Sequence, residues 1–131
     1  MSLPRILLAD DHPEIVRILT TLLSGTFDVV GVAEDGIAMI DAAGALNADV
    51  VVTDLSMPRL DGFRALARLK ECHPRIKVIV MTAYHDPAIA SLALEAGAVG
   101  FVSKHSAWVD LIPAIQAALA DRTFVSPSLE K

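Results

Sequence analysis

Five short apolar runs recur along the chain, and a stretch of helical periodicity separates each from the next. They are Arg5 to Ala9, Phe27 to Ala33, Ala48 to Thr53, Lys77 to Met81 and Gly100 to Ser103. Each has the length of a strand, and each separation is long enough for a crossover connection. Such alternation predicts a parallel sheet covered on both faces, because every crossover deposits a helix on the sheet. Right-handed crossovers leave few topologies. The order 2-1-3-4-5 fits best, since it puts the two most broken runs at the edges. These are the second, interrupted by Asp28 and Gly31, and the short fifth.

The helix signals agree with this plan. Pro13 stands at a first helical position, where its missing N–H costs nothing. Ile15, Ile18, Leu19, Leu22 and Leu23 then recur at helical spacing and predict a core face, with Gly25 as the stop. Asp35 is placed to cap a second helix from Ile37 to Leu46. Phe63, Leu66 and Leu69 mark the inner face of a third, which His73-Pro74 ends. Pro87 to Ala96 forms a fourth, closed by Gly97. The last helix, Ala107 to Ala120, is expected to bury Trp108, Leu111, Ile112, Ile115 and Leu119. Pro113 inside it lacks a backbone donor and should kink the helix or delay its start. The fold class is therefore α/β and flavodoxin-like: a doubly wound five-stranded parallel sheet with five helices. Residues 4–121 form the expected domain, and 122–131, with Ser126-Pro127-Ser128, read as a tail or the start of a linker.

With 131 residues and 53% hydrophobic content, the chain suits one domain with a proper core. No apolar run approaches the roughly 18 residues of a membrane span. A secretory leader pattern is missing from the start, and Cys72 stands alone, so a reducing, cytoplasmic setting is expected. Cys72 itself reads as a small buried hydrophobe. The net charge of -5 and the scattered Lys and Arg give no nucleic-acid-gripping stripe.

The chemistry gathers at strand ends. Asp10 and Asp11 follow the first run, Asp54 the third, Thr82 the fourth and Lys104 the fifth. All fall at carboxyl ends, where doubly wound sheets bind ligands beside the point at which strand order reverses. Three neighbouring carboxylates repel one another, and one lysine cannot neutralise them. A hard divalent cation can, and Mg²⁺ favours oxygen ligands. Carboxylates, cation and ammonium together make a seat for a transferred phosphoryl group, with the Thr82 hydroxyl as a further donor. A carboxylate can itself be the nucleophile, and Asp54, central on the middle strand, is the candidate.

This set of residues resembles the receiver domain of two-component response regulators. The resemblance rests on Asp10-Asp11, on Asp54 followed by Met57-Pro58 and Asp61-Gly62, on Thr82-Ala83, and on Phe101 three residues before Lys104. Leu8-Ala9-Asp10-Asp11-His12-Pro13 and Phe124-Val125-Ser126-Pro127 resemble the NarL/FixJ type in particular. The resemblance implies that Asp54 accepts a phosphoryl group from a histidine kinase. Asp11, Asp54 and the carbonyl of Ser56 would hold Mg²⁺, with Asp10 acting through a water. Lys104 would pair with the phosphoryl group, Thr82 would swing to bind it, and Phe101 would turn inward behind it. The output surface would span about Pro87 to Ala120. The resemblance also implies homodimerisation on phosphorylation, and DNA contact only through an output domain absent from this chain. No enzyme beyond its own phosphotransfer and dephosphorylation is expected, and no membrane partner. One departure is His105, which stands where many receivers have a proline after the lysine.

Two other classes compete on the residues. A Mg²⁺-dependent phosphatase of the haloacid-dehalogenase type would carry Asp-x-Asp after the first strand, where this chain has Asp10-Asp11-His12-Pro13. A phosphorylation-independent interaction module on the same fold would not need every chemical position filled. Among the neighbours, His12 reads as polarity at a helix entry, not as a metal ligand, and Trp108 as packing. Ser56 and Tyr84 occupy positions that the family links to phosphoryl lifetime.

Overall fold

The computed structural model describes residues 3–55, 62–83 and 86–127. Ser56, Met57, Pro58, Asp61 and Tyr84, named above, lie outside the described residues. The elements are β1 (Arg5–Ala9), α1 (Pro13–Leu23), β2 (Asp28–Ala33), α2 (Gly36–Ala45), β3 (Val50–Asp54) and α3 (Gly62–Cys72). They continue with β4 (Lys77–Thr82), α4 (Pro87–Glu95), β5 (Gly100–Ser103), α5 (Ala107–Leu119) and β6 (Phe124–Val125). All strands pair in parallel, in the order β2-β1-β3-β4-β5-β6. The expected order of the first five holds, and β2 lies at an edge as its interrupted sequence requires.

Strand alternation divides the core into two layers. Ile6, Leu8, Val50, Val52, Ile79, Met81 and Val102 pack with α1 and α5. Leu7, Val51, Val78, Val80 and Phe101 pack on the other face with α2, α3 and α4. β3 is buried along its whole length, which is why its run of valines carries no polar alternation. The helix starts follow the local chemistry. Pro13 opens α1, and the Asp35 carboxylate accepts the Ala38 N–H at 2.8 Å to cap α2. Gly97 takes a φ of +113° just past α4, a conformation that suits a residue without Cβ.

Four expectations of burial fail, three on helix faces and one at Cys72. Ile18 is 59% exposed, Trp108 73% and Leu119 41%. The buried side of α5 is instead Ala107, Leu111, Ala114, Ile115 and Ala118. The stripe of large residues predicted the wrong phase because small alanines let a helix lie close on a sheet, leaving bulky neighbours outside. Cys72 is exposed, not buried. Pro113 neither breaks α5 nor delays its start, and it faces solvent.

The chain also departs from the five-stranded expectation beyond α5. Where a tail was expected, Phe124 and Val125 pair with Gly100 and Phe101, so β5 gains a neighbour. This sixth strand has an unusual connection. The step from β1 to β2 passes over α1 on one face, and the steps from β2 through β5 run the opposite way over α2, α3 and α4 on the other. Those four connections therefore share one hand. The step from β5 to β6 continues in the same direction, yet α5 lies on the face of α1. Its hand is the opposite one, which the strong right-handed preference of such crossovers identifies as left-handed.

Candidate functional site: an acidic cluster at the strand ends

Parallel pairing brings the carboxyl ends of β1, β3, β4 and β5 to one rim. The register sets Ala9 beside Thr53, Asp54 beside Met81, and Thr82 beside Ser103. The next residue after β1 is Asp10 and the next after β5 is Lys104, so both reach over the end of β3. Lys104 Nζ donates to Asp54 Oδ2 at 2.8 Å and lies 3.0 Å from Asp10 Oδ2. Asp10 and Asp54 are almost wholly buried. Thr82 is buried at the end of β4, and its carbonyl accepts the Lys104 N–H at 2.8 Å. Phe101 is fully inside, in the layer formed with α2, α3 and α4. Among the described residues there is no cis peptide bond, so Lys104-His105 is trans.

His12 joins this cluster more closely than the sequence reading allowed. Its Nδ1 lies 2.7 Å from Asp10 Oδ1 and 3.1 Å from Asp11 Oδ1, and its backbone N–H donates to Asp10 Oδ1 at 2.9 Å. The ring is therefore oriented by the acidic pair, not independent of it. The pull of Asp10, then of Asp11, holds its imidazole above the ordinary histidine value.

The charges bias one another's protonation. Burial works to raise the Asp10 carboxyl, but the Lys104 and His12 contacts prevail and hold it below the ordinary aspartate value. Burial likewise opposes the Lys104 ammonium, yet Asp54 and Asp10 overcome it and raise its value. Both shifts favour the charged pair, so the pair contributes stability across the neutral range. Asp10 contributes fully above the ordinary carboxylate range, and that part is lost as pH falls through its depressed folded value. The Lys104 part is complete below the ordinary lysine range and is lost as pH rises through its raised folded value. Urea midpoints measured against pH should thus fall at both extremes, and Asp10→Asn should flatten the acid limb. An acid limb unchanged by Asp10→Asn would contradict this account.

The donor set also fits a cation. Ligand atoms of Asp10, Asp11, His12 and Asp54 all lie within 4.8 Å of one another. Asp10 Oδ2 is buried with the Lys104 ammonium 3.0 Å away, and that same ammonium is shared with Asp54. One ammonium shared between two buried carboxylates leaves negative charge that a bound cation would offset. Hard oxygen donors at a rim of negative charge are what a divalent cation requires.

One network here escaped the sequence reading: Ser103, Ser106, Asp110 and Ser126, joined by hydrogen bonds beside the end of β5. Ser126 lay in the expected tail, and nothing in its local sequence signals a buried partner 23 residues away. A separate cleft at the other end of the sheet, lined by Asn47, Asp49, His73 and Arg75 among others, contains none of the strand-end residues.

Fold and site together define a doubly wound α/β domain with an acidic cluster whose donors could hold a cation and a lysine over its central strand. The comparisons with known proteins place it further. The family model for the response regulator receiver domain matches residues 6–116. The probable transcriptional regulatory protein NarL of Mycobacterium tuberculosis is 36% identical over 129 residues, covering 95% of this chain and 59% of that protein. A LuxR-family two-component response regulator from Aurantimonas has a solved structure with a TM-score of 0.92 and 32% identity, covering 98% of this chain and 93% of that one. The isolated REC domain of RcsB from Salmonella enterica serovar Typhimurium, solved with the phosphomimetic BeF3-, superposes with a TM-score of 0.89 at 33% identity, covering 98% of this chain and 96% of that one. The chain belongs to the response regulator receiver domain family. It spans 59% of the length of the NarL relative. Among the described residues no helix is long and apolar enough to cross a membrane.

Proposed function

We propose that this domain is a phosphorylation-driven signalling switch in which Asp54 is the phosphoacceptor. The observation that carries the reading is the Lys104 ammonium held 2.8 Å from Asp54 Oδ2 at the buried end of the central strand. A carboxylate oxygen of Asp54 attacks phosphorus, and the phosphorus–nitrogen bond of a kinase phosphohistidine breaks. Its electron pair returns to the imidazole. Lys104 then shifts its charge from the bare carboxylate to the phosphoryl oxygens, which supply a better-matched partner. Thr82, at the adjoining strand end, donates its hydroxyl to another of those oxygens, and Phe101 repacks behind it.

Asp11, Asp54 and the carbonyl of Ser56 would hold Mg²⁺, with Asp10 acting through a water. When bound, Mg²⁺ offsets charge on the transferring phosphoryl group. The added charge biases a two-state arrangement and is read on the surface of α4, β5 and α5. The donor is a histidine kinase in the cytoplasm. The phosphorylated form is expected to dimerise and to control transcription through an output domain. We assign the domain to residues 4–126, because Phe124 and Val125 pair with β5 and Ser126 is buried beyond the end expected at 121.

Incubation with acetyl phosphate and Mg²⁺, followed by intact mass, tests the reading. A single phosphoryl adduct that forms with Mg²⁺ and not with chelator is expected. An unmodified chain after such treatment would overturn the proposal. Steady release of phosphate from small phosphomonoesters would instead favour a phosphatase.

A further inference from the structure

The residues after α5 are tied to the sheet in a way that reaches the site. The Phe124 N–H donates to the Val99 carbonyl at 3.0 Å, and the Ser126 N–H to the Phe101 carbonyl at 2.9 Å. Ser126 is fully buried. Its hydroxyl donates to Asp110 Oδ2 at 2.7 Å and accepts the Ser103 N–H at 3.1 Å. The same Asp110 oxygen accepts the Ser106 hydroxyl at 2.7 Å. One carboxylate on the first turn of α5 thus gathers the loop after β5 and the end of β6.

Ser103 immediately precedes Lys104. The backbone that aims Lys104 is therefore held from two sides: the Ser103 N–H by Ser126, and the Lys104 N–H by Thr82. The strand that brings Ser126 here has two residues and a left-handed connection. Neither its length nor its topology favours docking. Beyond the two backbone bonds and the packing of Phe124 and Val125, the buried hydroxyl–carboxylate network holds it, and such networks rigidify what they join.

We propose that Ser126 and Asp110 form a clasp that positions Lys104 toward Asp54, so that phosphoryl occupancy of Asp54 and docking of β6 favour each other. The proposal rests on the phosphoacceptor reading above. Coupling between two sites is reciprocal, so each event strengthens the other by the same factor. The chain leaving Ser126 is then held more firmly to β5 when Asp54 is occupied. A change at the strand ends is handed to whatever follows.

Hydrogen exchange read residue by residue, with and without beryllofluoride and Mg²⁺, tests this together with a beryllofluoride titration. In the wild type, saturation should slow exchange of the Phe124 and Ser126 amides about fivefold, the lower end for coupled sites. Ser126→Ala should weaken beryllofluoride binding by a similar factor, and Asp110→Asn, which keeps the side-chain shape, should do the same. Thr123→Ala, an exposed neighbour in the same segment, should leave affinity unchanged. The proposal fails if beryllofluoride shifts the Asp54 and Lys104 resonances while Phe124 and Ser126 exchange as before. It fails too if Ser126→Ala and Asp110→Asn both bind like the wild type. If beryllofluoride shifts nothing at Asp54, the phosphoacceptor reading falls and the clasp falls with it. The wild-type comparison needs no variant to fold.

Discussion

Asp54→Asn is expected to take up no phosphoryl group from acetyl phosphate under conditions that saturate the wild type, while keeping its fold. Lys104→Ala is expected to show the reverse balance. Its acceptor is intact, yet its phosphorylation should slow by about a hundredfold or more, the usual loss when one preorganised charge donor is removed. The two variants differ in stability because of what each leaves behind. Asn at 54 removes one of two carboxylates facing Lys104, and Asp10 remains 3.0 Å from its ammonium. Alanine at 104 leaves Asp10 and Asp54 buried beside each other without the ammonium between them. Removing one partner from a buried charge set costs about 3–5 kcal/mol, part of which the carboxylates recover by taking up a proton. Lys104→Ala should therefore lose stability at neutral pH, regain some in mild acid, and gain more from added Mg²⁺ than the wild type does. Urea unfolding at two pH values, with and without Mg²⁺, measures all three. Equal stability of Lys104→Ala and wild type at neutral pH would remove the electrostatic account of the site.

Gly62→Ala should be the most damaging small substitution near the site. A Cβ at Gly62 would stand 2.5 Å from the Leu55 carbonyl oxygen, 2.8 Å from its Cα and 3.0 Å from its carbonyl carbon. These are backbone atoms, so no change of rotamer relieves the contact. In a free helix, alanine would gain roughly 0.5–1 kcal/mol over glycine. Overpacking against a fixed backbone costs about 1–3 kcal/mol, and here it outweighs that gain. The strain also falls on the residue directly after Asp54, so either the start of α3 or the end of β3 must shift. Gly62→Ala should show a lower urea midpoint and a slower rate of phosphorylation. A midpoint equal to or above that of the wild type would refute the close approach of α3 to the chain after β3.

Much of this was legible in the residues. The strand-helix alternation fixed the order of the first five strands, because each apolar run is strand-length and each gap carries a helix. The strand-end positions of Asp10, Asp54, Thr82 and Lys104 followed directly, since a parallel sheet brings all carboxyl ends to one side. Residues whose role depends on packing phase were less legible. Trp108 and Leu119 looked like core because they are large and helically spaced, but Ala114 and Ala118 lie against the sheet instead. The place of His12 was missed for a related reason. Its distance to Asp10 depends on how the turn into α1 folds back, which the dipeptide Asp11-His12 does not state.

The sequence by itself determined which residues meet over the end of β3, because strand direction and order decide that and both follow from local pattern. The pairing of Lys104 with two buried carboxylates was therefore foreseeable in kind. Only the tertiary structure decided what becomes of the chain after α5. Phe124-Val125-Ser126 has too few residues to announce a strand, and its connection runs against the preferred hand. Its place depends on an edge left open by β5 and on Asp110, whose side chain is turned toward it. Local sequence specifies a strand or a helix, whereas a buried hydrogen bond between distant residues exists only once both surfaces have been brought together.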